Sequence, residues 1–430
     1  MKNKVLIDTK GNSIPFIFIL YNMAPLLTLL GHSFSMLAYG FMILVMIWAI
    51  YKRELVWCLP ATLYFYFGYF FITSIFHWFI IFYIVYAFIR CKYNAVILKV
   101  KTAPYIVCIL YCLLVLSTNS LYTALLCMLE VTVVLFATTE LKQSEYLFQG
   151  FWKMFVIAAI SSAIVGLVGN NTIEASFSSG TGYYFFDRII GTFDDPNYAG
   201  FYYNLAICVC FTMDVFKNRV LKYFVIALLY VMLIVSVSVT ALFANIILIS
   251  CVLLFKNRIS LKTFLWIAAL FSSLLILYYC ALTHDDWGYL YDFAVRLEQK
   301  IELFSTNDLS GVTSGRTSIA QSNFMYYWNQ DNIFKYLFGL NGITTRYIDT
   351  TKFVFASHNE YIDLLLNVGI IGLLLYMGNI FVNAFTKSNR NYLFTAYETF
   401  IKSARLLYIV YAFTITLFLE PRFMVFHFIF

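Results

Sequence analysis

Charge is what this sequence has least of. Only 12% of its 430 residues are Asp, Glu, Lys or Arg, while 62% are hydrophobic and the mean hydropathy is +0.80. A soluble globular domain does not have this composition, so that class is excluded. Also missing is a Gly-rich loop followed by Lys-Ser/Thr, and the connections between apolar runs on the basic side are short. That sets aside an ATP-driven pump or a cytosolic nucleotide-sugar enzyme. No internal repeat is visible. The opening "MKNKVLIDTKGN" lacks the pattern of a cleavable signal, so the first apolar segment is expected to remain as a helix. The nine cysteines, as in "CILYC" and "CVC", have neither metal-ligand spacing nor a disulfide framework, and read as small core residues.

What the chain does have is apolar runs of about twenty residues, repeated from end to end. They predict an all-α polytopic membrane bundle of about twelve or thirteen spans, with a break inside the long run over 55–89. With the N-terminus inside, most basic residues fall in inner connections, among them Lys52, Arg53, Lys217, Arg219, Lys256 and Arg258. The net charge of +7 is therefore topological and gives no reason to expect nucleic acid as a partner. Three parts are expected: residues 1–281 as a transmembrane bundle with an outer loop at 169–197, residues 282–357 as a large outer loop, and residues 358–430 as C-terminal spans. Glu130 stands mid-helix and flags either function or a polar helix contact.

A loop as long as 282–357 in a compact bundle is usually functional. "YDFAVRLEQKIELF" places Phe293, Leu297, Ile301 and Phe304 at helical spacing, and "TSGRTSIAQSNFMYYW" predicts another helix. Trp287, Tyr326, Tyr327 and Trp328 suit packing or stacking on sugar faces. The loop holds eight acidic residues, with Glu360 just after it, so an anion site there has to be built from particular arginines.

Arg316 follows "TSG" at a predicted helix start, where a cation gains nothing from the macrodipole unless an anion joins it. Arg188 is the lone basic residue of the first outer loop. After it, "GTFDDPNYAG" offers Asp195 as N-cap with Pro196 at N1, leaving Asp194 and Asn197 as candidate sugar contacts. In "SHNEYIDLLLNVGIIG", Ser357 and Glu360 stand in capping-box relation. His358 and Asn359 are expected on the first turn, where a neutral imidazole is favoured and can act as a general base. Asn359 and Glu360 join the candidate substrate contacts. Gly369 and Gly372 follow; Gly369 is expected about 16 Å along the helix from His358, and the pair predicts close approach of a neighbouring helix.

These motifs resemble the O-antigen ligase/polymerase (Wzy-type) superfamily. The likeness rests on "GTFDDPNYAG", on "SGRTSI" with "YYW" and "FGLNG", and above all on His-Asn, nine residues, then Gly-x-x-Gly. It implies metal-independent glycosyl transfer at the outer face of the bacterial cytoplasmic membrane, with a glycan on undecaprenyl pyrophosphate as donor and no cofactor. Arg188 and Arg316 would hold the pyrophosphate, and His358 would position or deprotonate the acceptor hydroxyl. Partners implied are the lipid-linked oligosaccharide, the bilayer and a chain-length regulator protein. One departure stands out: the turn "VSVSVTAL" has no Arg where many members carry a Ser-Arg pair. A polymerase, a ligase to lipid A core and, from another class, a lipid-linked oligosaccharide flippase all remain open. The 45 Phe and 34 Tyr incline the reading toward a polymerase.

Overall fold

The computed structural model describes residues 14–65, 74–93, 121–179, 182–255, 272, 276–308, 316–339, 347–349, 354–356, 358–385, 397–415 and 421–429. The expected span at 103–118 and the Ser357 half of the capping box lie outside them. Helices dominate, in this order: α1 Phe16–Met23, α2 His32–Lys52, α3 Leu59–Tyr64, α4 Ile75–Tyr93, α5 Leu121–Gln143 and α6 Glu145–Gly169, then α7 Pro196–Thr212, α8 Arg219–Val235 and α9 Val239–Phe255. The segment over 282–357 adds α10 Tyr289–Ser305, α11 Arg316–Trp328 and α12 Ile333–Phe338. The chain closes with α13 Glu360–Phe385, α14 Glu398–Ala412 and α15 Pro421–Ile429.

Two antiparallel hairpins join this helical frame, β1 Thr172–Ser179 with β2 Gly182–Ile189, and β3 Tyr347–Asp349 with β4 Val354–Ala356. Sequence reading did not anticipate them. The first forms because "TIEASFSS" and "GYYFFDRI" concentrate β-branched and aromatic residues, which suit a pleated ribbon better than a helix.

Among the described residues three helices are long and apolar enough to cross a membrane: His32–Lys52, Glu145–Gly169 and Glu360–Gly378. Within the run over 55–89, α3 ends at Tyr64 and α4 begins at Ile75, so His77, expected in a turn near Ser74–His77, is helical; residues 66–73 lie outside those described.

α7 is the centre of the molecule. Every residue from Ala199 to Cys210 is buried, as expected of a helix apolar on all sides. It packs against α6, α8, α9 and α14. Gly200 makes the α9 contact close: a Cβ there would lie 2.5 Å from the Ala241 Cβ and 2.9 Å from the Tyr411 hydroxyl. Behind this seam runs a polar chain. Asn204 donates to the Ala241 carbonyl (2.8 Å), Asn245 donates to Asn204 (2.7 Å) and Tyr230 donates to Asn245 (2.9 Å). Such satisfied amides specify one helix register inside an apolar bundle.

The C-terminal "EPRFMVFHFIF" is too short to span, and it folds as α15 into an aromatic core. Phe423 and Phe426 pack edge-on against Tyr202 at 5.3 and 5.4 Å. Glu130, which lacked an obvious partner in the sequence, faces His77 at 4.0 Å.

Candidate functional site

The site begins with the loop after β2. Gly191, at φ +68°, lies against α6: a Cβ on Gly166 would come within 2.5 Å of its Cα. Thr192 donates to the Tyr64 carbonyl (2.6 Å), so the loop is pinned on two sides. This fixes Asp195, which caps α7 as its spacing predicts, accepting from the Asn197 amide at 2.6 Å with Pro196 at the first helical position. Asn197 is buried, and its side-chain oxygen accepts from the Ser238 hydroxyl at 2.9 Å. Ser238 in turn receives the Ala241 amide at the start of α9.

Both predicted arginines are tied to the carbonyl ends of helices. Arg188 donates from Nε to the carbonyl of Ser236, the residue that ends α8 (2.8 Å). Arg316 donates from Nη1 to the Thr414 carbonyl just past α14 (3.0 Å). A helix C-terminus carries partial negative charge, so each anchor both orients a guanidinium and offsets its charge. The turn that lacks an Arg contributes the Ser236 carbonyl instead.

Cations the sequence reading passed over come from α10. Arg296 and Lys300, four residues apart on one helix face, line the same cavity as Arg188, Arg316, His358, Asn197 and Asn359. The cavity measures about 690 Å³. Its other wall is apolar, with Val239, Phe243 and Ile247 from α9 and Val410 and Phe413 from and beside α14. A second cavity, of about 410 Å³ near Gly31, His32 and Asn171, has no Lys or Arg in its lining.

Crowding of like charge shows in the titration of these groups. Burial and then Arg296 press Arg188 down to about 9, with Asp195 opposing. Burial and Arg316 bring Arg296 to about 10. Lys300 falls to about 8 through burial and the two arginines Arg296 and Arg316. His358 is lowered from its ordinary value by burial first and then by Arg316, again against Asp195. Asp195 is thus a carboxylate that faces Arg188, Arg296 and His358, while Asp308 opposes the fall at Lys300. At neutral pH the cavity holds four cations around a neutral imidazole, an arrangement an anion would relieve.

Several expectations need correction. His358 is not on the first helical turn: it precedes α13 with φ +51°, and Asn359 is the residue that caps the helix, accepting from the Tyr361 and Ile362 amides at 3.1 and 3.2 Å. The imidazole is kept neutral chiefly by burial. Glu360 is fully buried at the helix start and does not line the cavity. Asp194 also points elsewhere, pairing with buried Arg422 at 3.5 Å.

The expected apolar stripe of α10 is half right. Its cationic face turns to the cavity, while Ile301 and Phe304 stay exposed. Trp287, Tyr326 and Trp328 are exposed, Tyr327 is buried in packing, and all four lie away from the cavity lining. Gly369 does take the close approach expected of it, from Leu337 and Gly339 at the end of α12, but at a kink of α13 (φ +66°, ψ −171°) and not along a straight helix.

The chain matches no protein-family model, no curated protein and no solved structure.

Proposed function

We propose that this chain is a metal-independent glycosyltransferase of the surface-polysaccharide polymerase type, a multi-pass protein of the bacterial cytoplasmic membrane with its site on the outer side. It would join oligosaccharide repeat units carried on undecaprenyl pyrophosphate. The observation that carries the reading is one cavity in which Arg188, Arg296, Lys300 and Arg316 meet His358 beside an apolar wall. An amphipathic donor needs both surfaces: cations for a pyrophosphate, and Phe243, Ile247 and Phe413 for a prenyl chain.

In the reaction, neutral His358 accepts the proton of the acceptor hydroxyl as that oxygen attacks the anomeric carbon of the donor. The bond from that carbon to the pyrophosphate oxygen breaks, and its electron pair leaves with the pyrophosphate. The charge that develops there falls among the arginines, whose helix-end anchors hold them in place before reaction. The cationic groups come from segments outside the three apolar spans, which supports a transferase over a transporter with charges along a bundle pathway.

The test is a glycan size profile of a strain lacking the gene, with lipid A-linked and undecaprenyl-linked pools separated. Single repeat units without a ladder in either pool are expected. Long chains stranded on undecaprenyl would mean a ligase, and repeat units trapped on the cytoplasmic side would mean a flippase.

A further inference from the structure

The helical part of the segment over 282–357 ends in a tight hairpin closed by two tyrosine hydroxyls. α11 and α12 are joined by Tyr327, whose hydroxyl donates to the Tyr336 carbonyl, and by Tyr336, whose hydroxyl donates to the Trp328 carbonyl. Asn332 caps α12 by accepting from the Phe334 amide at 2.9 Å, and the Gly339 amide closes its end on the Lys335 carbonyl at 2.9 Å. Large apolar side chains are left outside, next to the exposed polar ones Asn329, Asp331, Asn332 and Lys335 around the turn. Ile333 is 62% exposed, Phe334 66% and Phe338 41%, and on α11 Phe324, Met325 and Trp328 are exposed beside them. Water is a poor partner for such a face.

Where the hairpin sits says what covers it. Gly339, at the end of α12, lies against the middle of α13: a Cβ on it would stand 2.3 Å from the Asn367 carbonyl oxygen, and one on Gly369 would stand 2.4 Å from the Leu337 carbonyl oxygen. Gly369 is near the midpoint of Glu360–Gly378, one of the three stretches able to cross a membrane. On a rise of 1.5 Å per residue it lies about 14 Å from the start of that stretch, well within a hydrocarbon layer about 30 Å thick. A short helix docked at that depth cannot leave its outward face in water.

We infer that α12, with the adjoining end of α11, lies in the outer leaflet of the membrane, its Ile333, Phe334 and Phe338 side chains in contact with lipid. Segment 282–357 is then partly embedded. In the hairpin the Asn332 side chain satisfies the Phe334 amide, the tyrosine hydroxyls satisfy the Trp328 and Tyr336 carbonyls, and the Gly339 amide satisfies the Lys335 carbonyl, as a lipid-facing segment requires. Lys335 on this helix can extend its amine toward the interface, where Trp328 and Tyr326 also belong. The inference rests on α13 crossing the membrane and is independent of glycosyl transfer.

The test replaces Phe334, Phe338, Leu374 or Glu302, one at a time, by the photo-cross-linking residue benzoylphenylalanine in the full chain. Membranes with radiolabelled phospholipid are irradiated and the adducts identified by mass. Lipid adducts are expected at Phe334, Phe338 and Leu374, with none at Glu302 on α10. Leu374 reports the span, being exposed beyond the kink. Lipid at Leu374 but not at Phe334 or Phe338 overturns the inference alone. No lipid at any position removes the span as well and overturns both. Adducts at Phe334 to a second copy or to another protein would show that a protein, and not lipid, covers this face.

Discussion

Gly339 and Gly369 meet backbone to backbone: a Cβ built on Gly369 would lie 2.6 Å from the Gly339 nitrogen. The contact ties Phe338-Gly339 at the end of α12 to the helix that His358 precedes, so two motifs separated in sequence become one support for the site. Both glycines have positive φ, +94° and +66°, with ψ of 176° and −171°, a region populated almost only by Gly that costs other residues on the order of 1–3 kcal/mol before any clash. Gly369→Ala and Gly339→Ala should therefore lower the thermal midpoint of the purified protein and reduce polymer formation together. Gly378→Ala, whose added Cβ meets nothing within 4 Å, should leave both unchanged. A wild-type midpoint for Gly369→Ala would show that the close approach is not maintained in the folded protein.

Arg316 divides its donors, with Nη1 on the Thr414 carbonyl and the rest of the guanidinium available to the cavity. Lys cannot do both, because a single ammonium has no planar fork. Arg316→Ala should cut polymer formation by about 100-fold or more, the scale of losing a donor to developing charge. Arg316→Lys should retain a small fraction. The same ordering is expected at Arg188, where Nε makes the anchor to Ser236. Full activity in either Lys variant, measured as ladder length at equal protein abundance, would reduce the arginine to a diffuse positive charge.

What could be read beforehand follows a physical division. Asp195 and Pro196 were legible because a cap is decided by neighbouring residues. Arg188, Arg316 and His358 were legible through the motifs that contain them, and the cavity does bring them together. Arg296 and Lys300 were not, because two cations four apart on an amphipathic helix look like a solvated face until the opposing wall is known. The kink at Gly369 was hidden for the same reason: Gly-x-x-Gly spacing is compatible with a straight helix, and only Gly339 shows why the helix bends there. The pairing of Asp194 could not be read from its neighbours because its partner, Arg422, lies at the far end of the chain.

Asp194 should accordingly behave as a structural residue. Arg422 is buried, with its guanidinium over the Tyr198 ring at 5.2 Å, and Asp194 pairs with its charge at 3.5 Å. Removing one partner of a buried pair leaves the other uncompensated; here Asp194 is partly exposed, so a cost of roughly 1–3 kcal/mol is expected, below the fully buried case. Asp194→Asn should lower the thermal midpoint while activity per folded molecule stays near wild type. A selective loss of activity at unchanged midpoint would return Asp194 to the substrate.

The pH dependence separates the base from the anion clamp. His358 is lowered below its ordinary value by burial, so the neutral form needed to accept a proton persists into mildly acidic solution; rate should fall only as pH drops below about 6.5. Lys300 titrates near 8, and it carries positive charge below that value and loses it above. Binding of an anionic donor to the free protein should weaken as pH rises through about 8, while the guanidinium of Arg188 keeps its proton there. The alkaline limb belongs in kcat/KM, because a bound anion holds the proton on Lys300 and flattens the limb in kcat. Lys300→Arg should move this limb upward without shifting the acid limb, since Arg holds its charge throughout. An alkaline limb unmoved by Lys300→Arg would remove Lys300 from the anion site and leave Arg188, Arg296 and Arg316 to hold the donor.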